Sequence, residues 1–507
     1  MTAITFWMLK AFGLLIVLSA VSCIFEVPTL NDKMKCSYGE RGSLTATCVN
    51  ATPAYFKLTL YKFDHLDETL KCLNCTLKII ESNTFDLSGN MIRVLDISNS
   101  GVEMLKPKAF MGLVFLQHLQ LNNNQIRSIF PGTFIGTKKI EQLNLENNEI
   151  SILVEGGFAE LLQLSVLNLR SNNIKIIDPR AFSGLQKLVL LDLGFNQITD
   201  LHQSLVNLTA LEVLKMEHNL IHQLSGSEFS SLANLYQLNL SANLLVDNFT
   251  IHMQPGNQLK SLSLSHNQIE ELKFGMAHLD TLEELQLSFN NISDIGNNMF
   301  EGMFSLRQLE LPYNNLSQFK TGWFSGLPQL TSLNFSHNHI EEIVISSVFP
   351  LRNLHFLDLS NNALGTFDYS ALISRLPGLT YLRLESNKLP CSLEDEMETE
   401  FENDNFKFVL EDDASTRQVC ALPPASKPAS TLHDTCMVDK SGSVSSLDII
   451  IFVVFSLVMA AIAVLFYLQF LIYKGVQLTR PKRVASTVQL IASEDDHRED
   501  EFVNDRV

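Results

Sequence analysis

Basic residues are scarce in this chain. Against 55 Asp and Glu stand 37 Lys and Arg, giving 507 residues a formal charge of −18. That sign excludes a nucleic-acid binder that works by neutralising phosphates. Charge of either sign is sparse, at 18% of residues against 46% apolar, so the chain is not one held unfolded by its own charge. Eight cysteines are too few to staple the whole length. Catalytic patterns are missing as well: the histidines are scattered, no serine sits at a nucleophile elbow, and no glycine loop could cradle a phosphate. The sequence therefore predicts no enzyme, no cofactor and no bound metal.

Long uncharged runs are present near both ends. Residues 1–22 have the form of a secretory signal, with Lys10 ahead of an apolar run and small residues Ala20 and Ser22 before Cys23. Ile449–Tyr473 is a stretch of 25 residues without a charge, followed at once by Lys474, Arg480, Lys482 and Arg483. As a helix it would span a hydrocarbon core of roughly 30 Å. The basic flank places residues 474–507 in the cytoplasm. The expectation is a plasma-membrane protein with its N-terminus outside.

Between these segments one frame repeats. Leu116-Gln-His-Leu119-Gln-Leu121-Asn-Asn-Asn124-Gln-Ile126 recurs with its asparagine at Asn148, Asn172, Asn196, Asn219, Asn243, Asn267, Asn290, Asn314, Asn338, Asn362 and Asn387. An earlier copy carries Ser100 in that slot, for a total of about 13 copies over residues 92–390. The frame resembles the leucine-rich repeat family. The resemblance implies an α/β solenoid with a curved parallel sheet on its concave face. No single repeat can bury its own leucines, so neighbours must stack. The asparagine offers both donor and acceptor where the chain leaves the strand, which suits a ladder between turns. Phe110, Phe134, Phe158, Phe182, Phe229, Phe300 and Phe324 recur eight residues past the isoleucine slot and predict a second, convex ladder. It lapses at Val206, Met253 and Ala277.

An open solenoid needs caps. Cys36, Cys48, Cys72 and Cys75 in residues 23–91, and Cys391, Cys420 and Cys436 in residues 391–436, are read as disulfide staples, with their pairing open. The second cap is acidic, with ten acidic residues and one lysine between 391 and 413, read as a solvated loop or helix face. From about 421 to 448 the composition is that of a flexible stalk.

The strand positions between the leucines are mostly polar without one sign, which favours a protein or glycan ligand. Sequons stand at Asn50, Asn74, Asn207, Asn239, Asn248, Asn291, Asn315 and Asn334, leaving residues 92–200 free of them. Gln120, Asn144, Asn168 and Asp192 are therefore the first candidate contacts. Phe195, Phe289 and Tyr313, each just before a ladder asparagine, are candidate interface anchors.

The layout resembles Toll-like receptor ectodomains without their TIR signalling domain, and insect connectin- and chaoptin-type adhesion proteins. It implies a cell-surface receptor or co-receptor, innate immunity included, that signals only through a partner and can act as a homodimer. Homophilic or heterophilic adhesion is the alternative, and a decoy receptor a third.

Overall fold

A computed structural model describes residues 35–38, 42–57, 66–86, 89–247, 249–273, 276–390, 392–393, 395–397 and 407–409. The signal, stalk, membrane-span and tail expectations lie outside those residues, as do Cys23, Cys391, Cys420, Cys436 and Asn248. Among the described residues no helix is long and apolar enough to cross a membrane.

The repeating frame folds as a parallel β-solenoid. The first of its inner leucines and the residues on either side form a short strand, such as His118–Gln120, Gln142–Asn144 and Val166–Asn168. Successive strands pair in parallel with Leu119 beside Leu143 and Leu143 beside Leu167. Every inner leucine is thus stacked on its counterpart and fully buried. Among the described residues the sheet holds 17 strands, and only the first, Lys35–Tyr38, runs antiparallel to its neighbour. Helix is sparse, as in the short segments Pro53–Lys57 and Tyr369–Arg375.

The ladder asparagines tie one coil to the next. Asn148 Nδ2 donates to Leu145 O at 2.9 Å in its own coil and to Leu121 O at 3.0 Å in the preceding one. Its Oδ1 accepts from Ile126 N at 3.0 Å. The same pattern repeats at Asn172, Asn243 and Asn338. Backbone groups that leave the sheet at each turn are thereby paired although buried. Ser100 cannot span two coils, and its own N–H is instead met by Asn124 Oδ1 at 3.0 Å.

On the opposite side Phe85, Phe110, Phe134, Phe158 and Phe182 stack with centroids 5.9–6.4 Å apart. Val206 is exposed, and beyond it Phe229, Phe300 and Phe324 are again fully buried, although among the described residues none of them stacks on another. Outer strand pairs such as Ile152–Leu153 with Ile176–Ile177 widen in the irregular middle to a three-stranded parallel sheet of Ser225–Gly226, Thr250–His252 and Met276–Ala277.

The N-terminal cysteines correct an expectation. Cys36 and Cys48 face each other across the antiparallel pair and are disulfide-bonded, whereas Cys72 and Cys75 are buried free thiols. The reason lies in the register. Thr69–Leu73 pairs in parallel with Val94–Asp96, so Leu70 stacks on Leu95 and residues 66–86 belong to a coil of the array. In that frame Cys72 takes a leucine slot and Cys75 the asparagine slot, a substitution the repeat accepts. Cys75 Sγ donates to Cys48 O at 3.6 Å, inside the coil stack. A hydrogen bond to Cys75, then burial, pushes the Cys72 thiol up; the same bond draws Cys75 down. At the other end Lys407–Val409 pairs with Tyr381–Arg383, so the sheet continues into the acidic segment expected to be solvated.

The ladder generates a stability test. In Asn243→Ala, the N–H of Ile221 and the carbonyls of Met216 and Leu240 lose their partner. Each group left unpaired costs about 1–3 kcal/mol. The urea midpoint of the variant, followed by circular dichroism, should fall, while that of exposed Asn207→Ala stays within error.

Candidate functional site

Gln120, Asn144 and Asn168 stand side by side on consecutive strands, in register and half-buried. Asn144 Nδ2 donates to Gln120 Oε1 at 2.9 Å, and Asn168 Nδ2 to Glu146 Oε2 at 3.1 Å. Each asparagine also accepts from the backbone two residues on, at Glu146 N and Arg170 N, both 3.0 Å. The row is thus held in place by its own turns, a local pattern natural to asparagine. Part of its hydrogen-bonding capacity remains turned outward.

Asp192 continues the row but is only 6% exposed. Its Oδ1 accepts from Gly194 N at 3.0 Å, and Arg170 and Lys215 stand 3.7 and 3.8 Å from the carboxylate. Arg170 reaches past Gly194 to bond Glu217, two coils on, and Asn239 Nδ2 meets the other oxygen of Glu217 at 3.2 Å. Gly194 permits the crossing: a Cβ there would stand 2.7 Å from Arg170 Nη1 and 2.8 Å from Glu217 Oε1. The Arg170 guanidinium also lies 4.3 Å over the Phe195 ring. Asp192 is therefore a buried member of a charge network rather than an open contact. Sequence reasoning missed Arg170, Gly194 and Glu217; the usable signal was a glycine at a strand exit, which marks close approach.

Phe195, Phe289 and Tyr313 occupy a slot with an unusual backbone. All thirteen residues that precede a ladder position, from Asn99 to Ser386, have φ between 52° and 59°. Asparagine tolerates that left-handed conformation, as at Asn123 and Asn147, whereas bulky rings are rare there. The rings are arranged in two columns. Phe195 stacks on His218 at 4.1 Å; His266, Phe289, Tyr313 and His337 stack at 4.3, 4.2 and 4.1 Å. Ala242 separates the two. Phe195, Phe289 and Tyr313 are 40–44% exposed, so the columns present their edges to solvent.

The sequons divide by face. Asn50, Asn74, Asn207, Asn291 and Asn315 are exposed, while Asn239 and Asn334 are half-buried at the ends of their strands. Asn334 Oδ1 accepts from both N and Oγ of Ser336.

The comparisons fit this geometry. The leucine rich repeat family profile matches residues 84–150, 152–198, 190–245, 280–340 and 304–364. The unmatched stretch 246–279 holds two strands of the three-stranded outer sheet, Thr250–His252 and Met276–Ala277. No curated protein matches the chain. Among solved structures, Toll in complex with Spatzle from Drosophila aligns with a TM-score of 0.56 at 20% identity, over 64% of this chain and 45% of that one. An LRR protein of Leptospira interrogans aligns with a TM-score of 0.49 at 23% identity, over 68% of this chain and 95% of that one. A plant peptide hormone receptor in complex with RGF2 gives 0.45 at 23%, over 64% and 56%. The likeness to Toll is one of fold, and this chain spans less than half of that protein.

The charge network generates a pH test. Burial first, and then Glu217, raise the Asp192 carboxyl above its ordinary value against the pull of Gly194 N, Arg170 and Lys215. The folded state therefore binds that proton more tightly than the unfolded chain, and this contribution to stability grows as pH falls from neutrality towards the ordinary carboxylate range. Asp192→Asn should flatten that part of the stability-against-pH curve in urea titrations. An unaltered slope would place the titration elsewhere.

Proposed function

Taking the leucine-rich repeat solenoid as the premise, we propose that this chain is a cell-surface receptor or co-receptor that binds a protein ligand on its strand face. The observation that carries the reading is the amide row Gln120–Asn144–Asn168, held rigid by its own turns and free of sequons. Carboxamides match the peptide groups or hydroxyls of a ligand without demanding a charge. A rigid array pays little ordering entropy when a partner docks. In this reading residues 449–473 anchor the chain in the plasma membrane and 474–507 face the cytoplasm.

The test places a photo-crosslinking benzoylphenylalanine at Asn144 in the full-length chain displayed on cells, with Lys187 on an outer loop as control. The expected result is an adduct with a second, extracellular protein from Asn144 and none from Lys187. An adduct of the chain with itself, formed only where two displaying cells meet, would instead favour adhesion. Equal labelling from both sites, or none, would overturn the strand face as the binding surface.

A further inference from the structure

The column His266–Phe289–Tyr313–His337 has no backbone reason to be aromatic. The same slot, with the same φ, is filled by Asn123, Asn147, Ala242, Asn361 and Ser386 elsewhere in the array. Four consecutive rings in a strained slot nonetheless form a continuous wall, stacked within 4.3 Å and open to solvent along its edges. Because each ring face is occupied by its neighbour, the wall offers apolar edges rather than faces. It suits an aliphatic stem better than a flat cation laid over one ring.

Charge decides what kind of stem. The coil that carries Phe289 also carries Glu284, and the coil that carries Tyr313 carries Glu310, on adjacent strands. Among the described residues neither carboxylate makes an ion pair. Glu284 is met by Ser261 Oγ and Gln286 Nε2 at 3.0 and 2.6 Å. Burial raises the Glu310 carboxyl, a hydrogen bond with Asn334 opposes that rise, and Asp358 and Glu284 add to it. The charged groups facing Glu310 across the sheet are therefore acids. Arg383, further along, is engaged by Asp358 and Glu385. Tyr313 stands three positions after Glu310, at most about 10 Å along the chain.

We propose that this wall and its two carboxylates form a docking subsite for a lysine- or arginine-bearing segment of the protein ligand. The methylene stem lies along the ring edges of Phe289 and Tyr313, and the cationic head reaches Glu284 and Glu310. Long basic side chains are built for such a division between apolar stem and charged end. The subsite rests on the strand face being the binding surface. It lies some six coils from the amide row, so the crosslink from Asn144 and the measurement below can fail independently.

The experiment measures anisotropy of a fluorescein-labelled (Arg-Gly)4 peptide with the full-length chain purified in detergent. Saturable binding is expected. Phe289→Asn with Tyr313→Asn, which leaves the charge unchanged and uses the residue other coils place in this slot, should weaken it at least tenfold. Glu284→Gln with Glu310→Gln should do the same. Glu341→Gln with Glu342→Gln, an equal charge change on an exposed outer segment, should stay within twofold. Unfolding midpoints of all variants confirm that the array is intact. No binding, or losses equal in both charge variants, or an unaffected Asn pair, would overturn the subsite. Binding that emerges only after enzymatic removal of glycans would show sugars at Asn291 or Asn315 covering the wall, and would overturn it too. An Asn144 adduct alongside any of these failures would leave the strand-face reading standing.

Discussion

One hydrogen-bonded side chain sets the architecture. The ladder asparagine donates into two coils at once and accepts from the backbone of the coil before it. Without it, a turn made every 24 residues or so would leave buried carbonyls and amides unpaired at each coil. Burial of leucine supplies most of the favourable free energy, yet leucine alone is indifferent to register. The asparagine is not: its reach fixes how far one coil sits from the next, and so aligns Leu119, Leu143 and Leu167 into one sheet.

The same spacing governs what can happen on the surface. Adjacent strands bring Gln120, Asn144 and Asn168 into a row, and the turn that follows forces the next slot into a left-handed backbone. Residues in that slot line up as strictly as the leucines do. The array therefore writes chemistry in lines: amides along one, rings along another, carboxylates and arginines where neighbours permit. Its two halves differ in chemistry. The early coils carry a row of neutral amides that runs into the Arg170–Asp192–Glu217 network, and the later ones set an aromatic wall beside Glu284 and Glu310, which among the described residues no arginine or lysine pairs.

Much of this was legible in the sequence because a period exposes itself. The leucine frame, the asparagine ladder and the first phenylalanine column follow from spacing alone. What spacing could not disclose was any feature that depends on substitution within the frame. Cys72 and Cys75 look like cap staples until Leu70 is seen stacked on Leu95, which turns them into core positions of a coil. The Arg170–Glu217 bond joins residues 47 apart through a gap left by Gly194, and no short motif encodes it. Asp192 sits in a strand slot that is open at Gln120 and Asn144, and its burial comes from that same crossing. The comparisons fix the fold; what the surface would recognise depends on side chains that the frame leaves variable.

The uniform step between partners also bears on how such a chain is made. Among the described residues each parallel strand pairs only with those about one coil away, at separations such as 24 residues between Leu119 and Leu143 and 23 between Leu191 and Leu214. The loop that must close is the same for the tenth coil as for the second, so the entropic search does not lengthen as the array grows. A chain that emerges from its N-terminus can dock each turn onto the one already formed. Because each coil touches only its neighbours, a fault in one is borne first by the two beside it.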